Sequence, residues 1–333
     1  MWHAAAVSGL DRVRLRLDRI RAAVGEIDPA FLDTPMLPCA PLGEALGCSV
    51  TLKVETLNPV RCFKGRGTET AAAAARERGA SRVVCASAGN LGQALAYSGR
   101  RRGLEVTVVA ARTANPLKLR QIAAFGADVR LDGEDIEDAR LLAREIAETG
   151  AAYLVEDSLD LATCEGAATI GLELVRDDPE LDVVLVALGG GAMASGVGYA
   201  VRALADHAEV IGIQPFGAPA MTLSWRQRAV IETDRIETIA DGVAGRCPIP
   251  EVLEDLLVVL DDVMLVREDS IKSGMRMLYE HAGLVVEPSA ALGVAAVLEE
   301  PERFAGRHVT TILCGSNVVP ADYARWVLEP VAR

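Results

Sequence analysis

Residues 82–110 have the sequence RVVCASAGNLGQALAYSGRRRGLEVTVVA. The valine-rich runs at its two ends, 82–86 and 105–110, have the length and composition of buried strands. The stretch between them, 91–102, is longer and has apolar residues at helical spacing. An alternation of short apolar strands with amphipathic helices is typical of a parallel sheet covered by helices. These residues therefore predict an α/β fold.

The same alternation extends to both sides of this segment. Further strands are predicted at residues 50–54, 128–131, 153–155, 182–187, 210–213 and 309–313. Further helices are predicted at residues 68–78, 116–125, 134–149, 165–176, 195–204, 267–281 and 289–298. Residues 10–24 have apolar positions at helical spacing and predict one packing helix, whereas residues 241–257 predict a loop-rich connection.

The chain has 333 residues, of which 50% are hydrophobic, and this is enough for two lobes with cores of their own. No segment reaches the roughly 18 consecutive apolar residues of a membrane span. Residues 1–7 lack the charged start and the long apolar middle of a signal peptide. We therefore expect no membrane partner and a cytoplasmic location.

The charge balance also limits the class of partner. The 34 basic and 47 acidic residues give a net charge of −13, which disfavours nucleic acid and leaves small molecules as the expected ligands. The seven cysteines include no Cys-x-x-Cys pair, and the four histidines are scattered. Neither a disulfide framework nor a metal site is therefore predicted.

Lys64 lies where a lysine can become a nucleophile. It follows a predicted strand and an Asn-Pro turn signal, and it precedes an alanine-rich helix. The positive end of that helix and the neighbouring Arg61 and Arg66 disfavour the ammonium form, which is the direction that nucleophilic catalysis needs. Taken alone, a lysine is more often a solvated surface residue.

Two turns between a strand and a helix contain residues suited to anion binding. Ser87, Gly89 and Asn90 lie at the first turn, where free backbone N–H groups can hold a small anion, although the same residue types also serve as plain helix caps. Residues 189–193 are Gly-Gly-Gly-Ala-Met, which lets the backbone curl so that several N–H groups point at one phosphate.

Residues 189–194 also match the pattern G-x-G-x-x-A, which would indicate a nicotinamide-dependent oxidoreductase. Such a site needs an acidic ribose ligand at the end of the next strand, but this chain has Gln214 there, and Glu209 lies at the wrong end. The dinucleotide alternative is therefore weak. A third turn places Cys314 after the last strand, where it can face a bound ring or pack as a buried thiol.

Together and in this order, a Phe-Lys-x-Arg-Gly segment, the Ser-Ala-Gly-Asn loop, the triple-glycine turn and a terminal Cys-Gly-Ser-Asn resemble one family. It is the fold-type II pyridoxal-phosphate enzymes, in particular the serine/threonine dehydratases and serine racemases, and residues 238–243 and 286–289 resemble two more of its motifs. The resemblance implies a fold like that of the tryptophan synthase β chain, with two doubly wound α/β domains, parallel-rich sheets and the cofactor in the cleft between them. It places residues 1–67 and 156–333 in a large cofactor-binding domain, and residues 68–155 in a small, mobile domain that binds the substrate carboxylate.

The resemblance also implies a role for each motif. Lys64 would hold pyridoxal 5'-phosphate as a Schiff base and act as the acid/base once the substrate has displaced it. The other residues implied to contact the cofactor are Phe63, Asn90, Gly189, Gly190, Gly191, Ala192, Met193 and Cys314. Those implied to contact the substrate are Ser87, Ala88, Gly89, Asn90, Leu91, Asp241 and Gly242.

The implied activity is that of a carbon-nitrogen lyase, a dehydratase or ammonia-lyase. Such an enzyme removes the Cα proton of a 3-hydroxy amino acid, eliminates the β-hydroxyl, and releases a 2-oxo acid and ammonia. Cys314 would be a neutral partner for the pyridine nitrogen, which favours elimination. Ala88 stands where racemases have a second acid/base, which disfavours racemisation. Leu91 stands where a His is common, which admits a substrate bulkier or more apolar than serine or threonine.

Two alternatives keep the cofactor or the fold but change the activity. β-Replacement, as in cysteine synthases, fits less well because those enzymes usually have threonines where this chain has Leu91 and residues 192–193. A binding relative that has lost turnover is another class, and the presence of both Lys64 and Asn90 argues against it.

The same resemblance predicts the assembly and the metal requirement. Gln214 and Ala220 stand where metal-activated members have carboxylates, so we predict no divalent ion. Members of the family suggest a homodimer. Because the chain ends at Arg333, we expect it to lack the regulatory domain of allosteric threonine dehydratases.

Overall fold

Ten β-strands form two sheets in the computed structural model, which describes residues 9–150 and 152–329. The strands are, in chain order, β1 (Met36–Pro38), β2 (Ser49–Val54), β3 (Arg82–Ala86), β4 (Glu105–Ala110), β5 (Asp128–Leu131), β6 (Tyr153–Leu154), β7 (Val183–Ala187), β8 (Glu209–Pro215), β9 (Asp262–Val266) and β10 (His308–Leu313).

Helices connect most of these strands. They are α1 (Leu17–Ala23), α2 (Ala40–Leu46), α3 (Lys64–Glu77), α4 (Asn90–Arg101), α5 (Pro116–Ala124), α6 (Ile136–Gly150), α7 (Leu161–Asp177), α8 (Ala192–Leu204), α9 (Ala220–Gln227), α10 (Pro250–Val259), α11 (Glu268–Ala282), α12 (Leu292–Glu299), α13 (Pro301–Phe304) and α14 (Pro320–Tyr323). Short 3-10 turns lie at Leu10–Arg12, Pro29–Phe31, Asp241–Val243 and Pro288–Ala291, and a π-helical turn lies at Ala324–Leu328.

The two sheets differ in size but share parallel pairing. The larger sheet has the order β1-β2-β10-β7-β8-β9, in which β1 alone runs antiparallel to its neighbour among the described strands. The smaller sheet has the order β5-β4-β3-β6 and is parallel throughout. Since parallel strands point the same way, the segments that follow β2, β7 and β10 leave from one edge of the larger sheet. These segments lead to Lys64, to residues 189–193 and to Cys314.

Helices α3 and α7 pack with their backbones almost in contact. A Cβ atom added at Gly166 would lie 2.5 Å from the carbonyl oxygen of Arg66 and 2.7 Å from the Cα of Gly67. A side chain does not fit in so short a gap, so glycine is what allows the two helices to approach at this point. This packing fixes the first turn of α3 and with it the backbone of Lys64.

Apolar side chains fill the space between each sheet and its helices. Leu185 of β7, Ile211 of β8 and Val294 of α12 are buried in the core of the larger sheet. The smaller sheet has one cluster around Leu95 of α4 and a second around Ala139 of α6, and alternate residues of β3 and β4 belong to one cluster or the other. Burying one leucine-sized side chain stabilises the fold by about 1.5–3 kcal/mol.

The α/β fold with parallel-rich sheets expected from the sequence is confirmed. Every predicted strand is present, and its ends lie within two residues of the predicted ones. Strands β1 and β9 had no counterpart in the sequence analysis, and neither did helices α2, α9, α13 and α14. The prediction of a loop-rich connection over residues 241–257 is wrong in its second half, because α10 begins at Pro250 and runs to Val259.

The sequence of α10 has the periodicity of a helix. Val252, Leu256 and Val259 are buried on one face, while Glu251 and Glu254 are exposed. Pro250 occupies the first turn, where a missing N–H costs nothing and the ring favours a helical start. Pro250 therefore marks the residue at which the helix begins.

The prediction of one helix over residues 10–24 is also corrected. The segment forms the 3-10 turn Leu10–Arg12 and then, after an extended stretch, α1. Within that stretch Arg14 donates from its backbone N–H to Asp255 at 2.9 Å and from its guanidinium at 2.8 Å. This contact to a buried carboxylate holds the backbone out of the helical conformation.

The remaining expectations concern the membrane and the domain division. Within residues 9–150 and 152–329, no helix is both long and apolar enough to cross a bilayer. Residues 1–7, on which the signal-peptide prediction rests, lie outside the described part of the chain. The division into residues 1–67 with 156–333, and 68–155, stays a prediction.

Candidate active site

The predicted site residues line one cavity, of about 670 Å³, between the two sheets. All fifteen line it: Phe63, Lys64, Ser87, Ala88, Gly89, Asn90, Leu91, Gly189, Gly190, Gly191, Ala192, Met193, Asp241, Gly242 and Cys314. A second cavity, of about 710 Å³, lies beside α1, α3 and α7. None of the predicted site residues lines it. We place the candidate active site in the first cavity, because there an amine, free backbone N–H groups and a buried thiol converge.

Lys64 begins α3, and its amine enters an ion pair with Asp157. The distance from Nζ to Oδ2 of Asp157 is 2.5 Å, and the amine also lies 4.7 Å from the centre of the Phe63 ring. Asp157 follows β6, at the edge of the smaller sheet. Asp157 was not among the predicted site residues, although an acidic side chain just after a strand of a parallel sheet is a recognisable signal.

Arg66 does not act on the Lys64 amine as the sequence suggested. Its guanidinium is fully buried and donates to Glu55 at 2.8 and 2.9 Å and to Glu173 at 2.6 and 2.9 Å. Lys53 also contacts Glu173, at 2.5 Å. Burial would raise the pKa of Glu173, but the hydrogen bonds and charges of Arg66 and Lys53 lower it to about 2. The two cations and two carboxylates thus neutralise one another, and the charge that contacts Lys64 is that of Asp157.

The triple-glycine turn presents free backbone donors. Gly191 has a φ of 107° and precedes the first residue of α8, so the turn needs glycine at this position. Among the described residues none accepts a hydrogen bond from the N–H groups of Gly189, Gly190 and Met193. The N–H of Ala192 donates to the hydroxyl of Ser158 at 3.1 Å. Unpaired donors at a helix N-terminus suit a phosphate group.

The loop of residues 87–91 offers a similar but smaller set of backbone N–H donors. The hydroxyl of Ser87 accepts from the N–H of Gly89 at 3.1 Å, and α4 begins at Asn90. No acceptor in the described ranges pairs with the N–H groups of Ala88 and Leu91. The side chain of Leu91 is buried in the apolar cluster around Leu95. These backbone groups can hold a carboxylate, while Leu91 makes the adjoining wall apolar.

Asn90 belongs to a partly buried polar network with Glu287 and Asn317. The side-chain amide of Asn317 donates to Oδ1 of Asn90 at 2.8 Å, and its backbone N–H donates to Glu287 at 3.1 Å. Burial raises the pKa of Glu287 to about 7, against the lowering effect of the hydrogen bonds from Asn90. Glu287 lies in the predicted motif 286–289 but was not among the predicted site residues.

Cys314 lies at the cavity wall as a neutral thiol. Burial first, and then the nearby Glu287, raise the pKa of Cys314 well above its ordinary value. Its carbonyl oxygen accepts from the N–H of Phe63 at 2.9 Å, which ties the end of β10 to the start of α3. A thiol here can accept or share a hydrogen bond, but it offers no negative charge.

Asp241 and Gly242, which are also predicted to bind the substrate, are held in place by charge and by packing. Asp241 is more than half exposed and forms an ion pair with Lys118, which also lines the cavity. The hydroxyl of Ser289 is buried and has no partner among the described residues, and a Cβ atom at Gly242 would lie 2.7 Å from it. In the described ranges, no three histidine, cysteine or acidic side chains are grouped as they would be around a metal ion.

The residues present fit pyridoxal phosphate. The free N–H groups of Gly189, Gly190 and Met193 match its phosphate. The amine of Lys64 matches its aldehyde, and the neutral thiol of Cys314 matches its ring nitrogen. The buried and unpartnered hydroxyl of Ser289 is a further donor that a ligand can satisfy.

The chain is similar in sequence and structure to known proteins. The model of a family described as pyridoxal-phosphate dependent enzyme matches residues 27–315. The L-threonine ammonia-lyase of Thermotoga maritima is 32% identical over 305 residues, which cover 91% of this chain and 76% of that protein. The phenylserine dehydratase of Ralstonia pickettii is 31% identical over 294 residues, or 88% of this chain and 90% of the relative. Maize serine racemase superposes with a TM-score of 0.87 at 28% identity and covers 92% of this chain and 95% of its own.

Proposed function

The chain belongs to the family of pyridoxal-phosphate dependent enzymes, and on this basis we propose that it is a dehydratase of 3-hydroxy amino acids. The reaction removes the Cα proton, eliminates the β-hydroxyl and releases a 2-oxo acid and ammonia. The observation that carries the proposal is the convergence of Lys64, the 87–91 loop, the triple-glycine turn and Cys314 on one cavity.

The chain's own residues divide into those that hold the cofactor and those that hold the substrate. Lys64 would bind the cofactor through its amine, and the N–H groups of residues 189–193 would bind its phosphate. Phe63 and Cys314 would contact the ring, together with Asn90. Ser87 and the N-terminus of α4 would hold the substrate carboxylate, where the helix dipole favours negative charge. Asp241 and Gly242 would line the opposite side of the substrate site.

Bound pyridoxal phosphate supplies an electron sink for the charge left when the Cα–H bond breaks. Lys64 takes the Cα proton on its Nζ, which a base near the substrate must do within hydrogen-bond reach. The loop of residues 87–91 orients the substrate by its carboxylate, so that the Cα–H bond faces the amine. Cys314 adds no charge beside the ring, so the sink is weaker than one with an acidic partner, and elimination is favoured over long-lived carbanion chemistry.

The substrate we propose is a 3-hydroxy amino acid with an apolar or bulky substituent. The side chains of Leu91, Ile136 and Trp326 line the cavity. The similarity to a phenylserine dehydratase agrees with such a substrate. Amino-acid racemisation and β-replacement are the alternatives, and Ala88, which offers no acid or base, disfavours the first of them.

Three further properties are part of the same proposal. We infer that the smaller sheet and its helices form a mobile domain that closes on the substrate carboxylate. We also infer that the protein is a cytoplasmic homodimer whose partner is an amino acid substrate and neither nucleic acid nor membrane. The net charge of −13 supports the exclusion of nucleic acid.

A substrate screen tests the proposal. The wild-type protein is loaded with pyridoxal phosphate and supplied with serine, threonine, 3-phenylserine and other 3-substituted amino acids, and 2-oxo acid and ammonia are measured. We expect equal amounts of the two products. Lys64→Ala should lower the rate by about 10²- to 10⁴-fold, because the base is lost. Lys272→Ala, which changes a lysine paired with Asp269 outside the cavity, should leave the rate unchanged.

A second readout is independent of turnover. Borohydride fixes the cofactor to the lysine that binds it, and peptide mass spectrometry should find the label on residue 64. A label on another lysine, or ammonia release by purified Lys64→Ala at the wild-type rate, would refute the role of Lys64. Formation of the enantiomer without 2-oxo acid would identify a racemase instead.

A further inference from the structure

Asp157 is the charged partner of the lysine at the centre of the cavity. Its Oδ2 accepts a hydrogen bond of 2.5 Å from Nζ of Lys64, and the two side chains are only 26% and 16% exposed. Its other oxygen, Oδ1, is buried and has no partner in the described part of the chain. An ion pair that is partly shielded from water is stronger than one on the surface, because the effective dielectric constant is lower.

The loop that carries Asp157 is fixed on both sides of this residue. Before it, the N–H of Val155 donates to Val84 of β3 at 2.8 Å. After it, Ser158 is fully buried, and its N–H donates to the hydroxyl of Thr163 at 3.3 Å. The carbonyl oxygen of Ser158 accepts from Arg14 at 3.3 Å. The position of the carboxylate therefore follows from the packing of the loop and not from a free side chain that happens to reach a cation.

The hydroxyl of Ser158 also ties this loop to the triple-glycine turn. It accepts the N–H of Ala192, and a Cβ atom at Gly190 would lie 2.8 Å from it and 3.9 Å from Oδ2 of Asp157. The carboxylate thus lies between the lysine and the turn, close to where the chemistry takes place.

We propose that Asp157 is a positioning residue for Lys64, which holds the amine in place and stabilises it when it carries the Cα proton. The inference rests on the proposed function. In that reaction the Cα–H bond breaks, its electron pair stays with the substrate, and the proton forms a new N–H bond on Nζ of Lys64. The amine becomes an ammonium ion, and a carboxylate within hydrogen-bond distance stabilises this charged form. In the structure, Lys64 and Asp157 already form such a pair of ammonium and carboxylate.

The first test uses the cofactor-free protein, so it does not depend on the activity. The protein is treated with a small amount of acetic anhydride at about pH 7.5, and acetylation of Lys64 is measured by peptide mass spectrometry relative to Lys272 in the same sample. In Asp157→Asn we expect Lys64 to react about 3- to 10-fold faster, because the amine is no longer held by the charge-assisted hydrogen bond to the carboxylate and is free to attack the reagent. Asp132→Asn, which removes an exposed carboxylate paired with Arg112, should change nothing.

The second test separates charge from packing in the loaded enzyme. In Asp157→Asn we expect kcat to fall at least about tenfold while KM changes less than threefold, because the charge acts after the substrate has bound. Asp157→Glu keeps the carboxylate and should retain more of kcat than Asp157→Asn. If Asp157→Asn fails to fold, as judged by circular dichroism, Asp157→Ser takes its place.

The outcomes separate the two proposals. Equal acetylation of Lys64 in the wild type and Asp157→Asn overturns the positioning role, and so does an equal loss of kcat in Asp157→Asn and Asp157→Glu. If the wild type forms no 2-oxo acid from any 3-hydroxy amino acid, the proposed function fails, whereas faster acetylation in Asp157→Asn would still support the ion pair.

Discussion

The side-chain amide of Asn90 donates to both carboxylate oxygens of Glu287, at 2.9 and 3.1 Å. Asn90 begins a helix beside the smaller sheet, and Glu287 lies next to the end of the larger sheet, so this contact joins the two halves of the cavity. The carboxyl is buried, and a buried carboxyl prefers its neutral form. The stability of the cofactor-free protein should therefore depend on pH through Glu287.

The sign of that dependence follows from the raised pKa. Burial moves the pKa of Glu287 from 4.5 to about 7, so between these values the folded state binds more protons than the unfolded state. Its contribution of about 3 kcal/mol is complete below about pH 4.5 and is lost as the pH rises through 7. In Glu287→Gln this loss should be absent. Between pH 5 and 8 the urea midpoint of the wild type should therefore fall relative to that of the variant as the pH rises.

The control for this measurement is Glu280→Gln, which changes an exposed glutamate and should follow the wild type at every pH. Parallel curves for the wild type and Glu287→Gln would contradict the assignment of the titration to Glu287.

Loss of Arg66 should destabilise the protein strongly. Arg66→Met leaves the carboxylates of Glu55 and Glu173 buried with Lys53 as their one remaining cation among the contacts described. Removing one partner from a buried ion network costs about 3–5 kcal/mol, because an uncompensated charge stays in the interior. Urea unfolding should show this loss. Adding Glu55→Gln to Arg66→Met restores the balance of charge and should recover part of it.

The comparison for Arg66 is Arg82→Met, which breaks an exposed ion pair with Glu105. Exposed pairs contribute about 0–1 kcal/mol, so this variant should unfold close to the wild type. Equal effects of the two substitutions would mean that the buried network does not carry the stability we assign to it.

The triple-glycine turn should bind the cofactor phosphate more weakly when its last glycine is replaced. In Gly191→Ala the residue must keep a φ of 107°, and its Cβ atom would lie 2.4 Å from Cγ1 of Val252. Strain of about 1–2 kcal/mol in the backbone, together with this clash, displaces the N–H groups of the turn. We expect pyridoxal phosphate to bind at least about tenfold more weakly, as measured by fluorescence titration of the cofactor-free protein.

Gly47→Ala isolates the effect of strain alone. Gly47 has a φ of 73° at the end of α2, and nothing lies within 4 Å of an added Cβ atom. This variant should lose stability but bind the cofactor as the wild type does. If Gly191→Ala also binds normally, the turn is not the phosphate site.

Leu91 should set the substrate preference. Its side chain is 7% exposed and packs against the cluster around Leu95, so Leu91→His replaces an apolar wall with a polar group. We expect the ratio of kcat/KM for threonine to that for 3-phenylserine to rise, with a lower melting temperature because a polar ring is buried. Leu91→Met keeps an apolar wall of similar volume and should leave the ratio unchanged. An unchanged ratio in Leu91→His would remove this residue from the explanation of selectivity.

The sequence was most informative where the signal is local. A run such as 105–110 is buried because its residues are apolar and β-branched, and its bounds were predicted to the residue. The errors occurred where a local signal was ambiguous or was overridden. The Pro250 that begins α10 was taken as part of a loop, and the extended backbone at Arg14 follows from a contact to Asp255, which is far away in the sequence.

The amino-acid sequence by itself therefore determined the α/β fold, the glycine turns and the candidate lysine, because periodicity and turn chemistry act between near neighbours. The tertiary structure decided which charges meet. Arg66 is two residues from Lys64, yet it turns into the interior to pair with Glu55 and Glu173, while Lys64 pairs with Asp157, which is 93 positions away. The physical reason is that a helix sends residues two apart to different sides, and the packing of α3 against α7 decides which side is the core and which is the cavity.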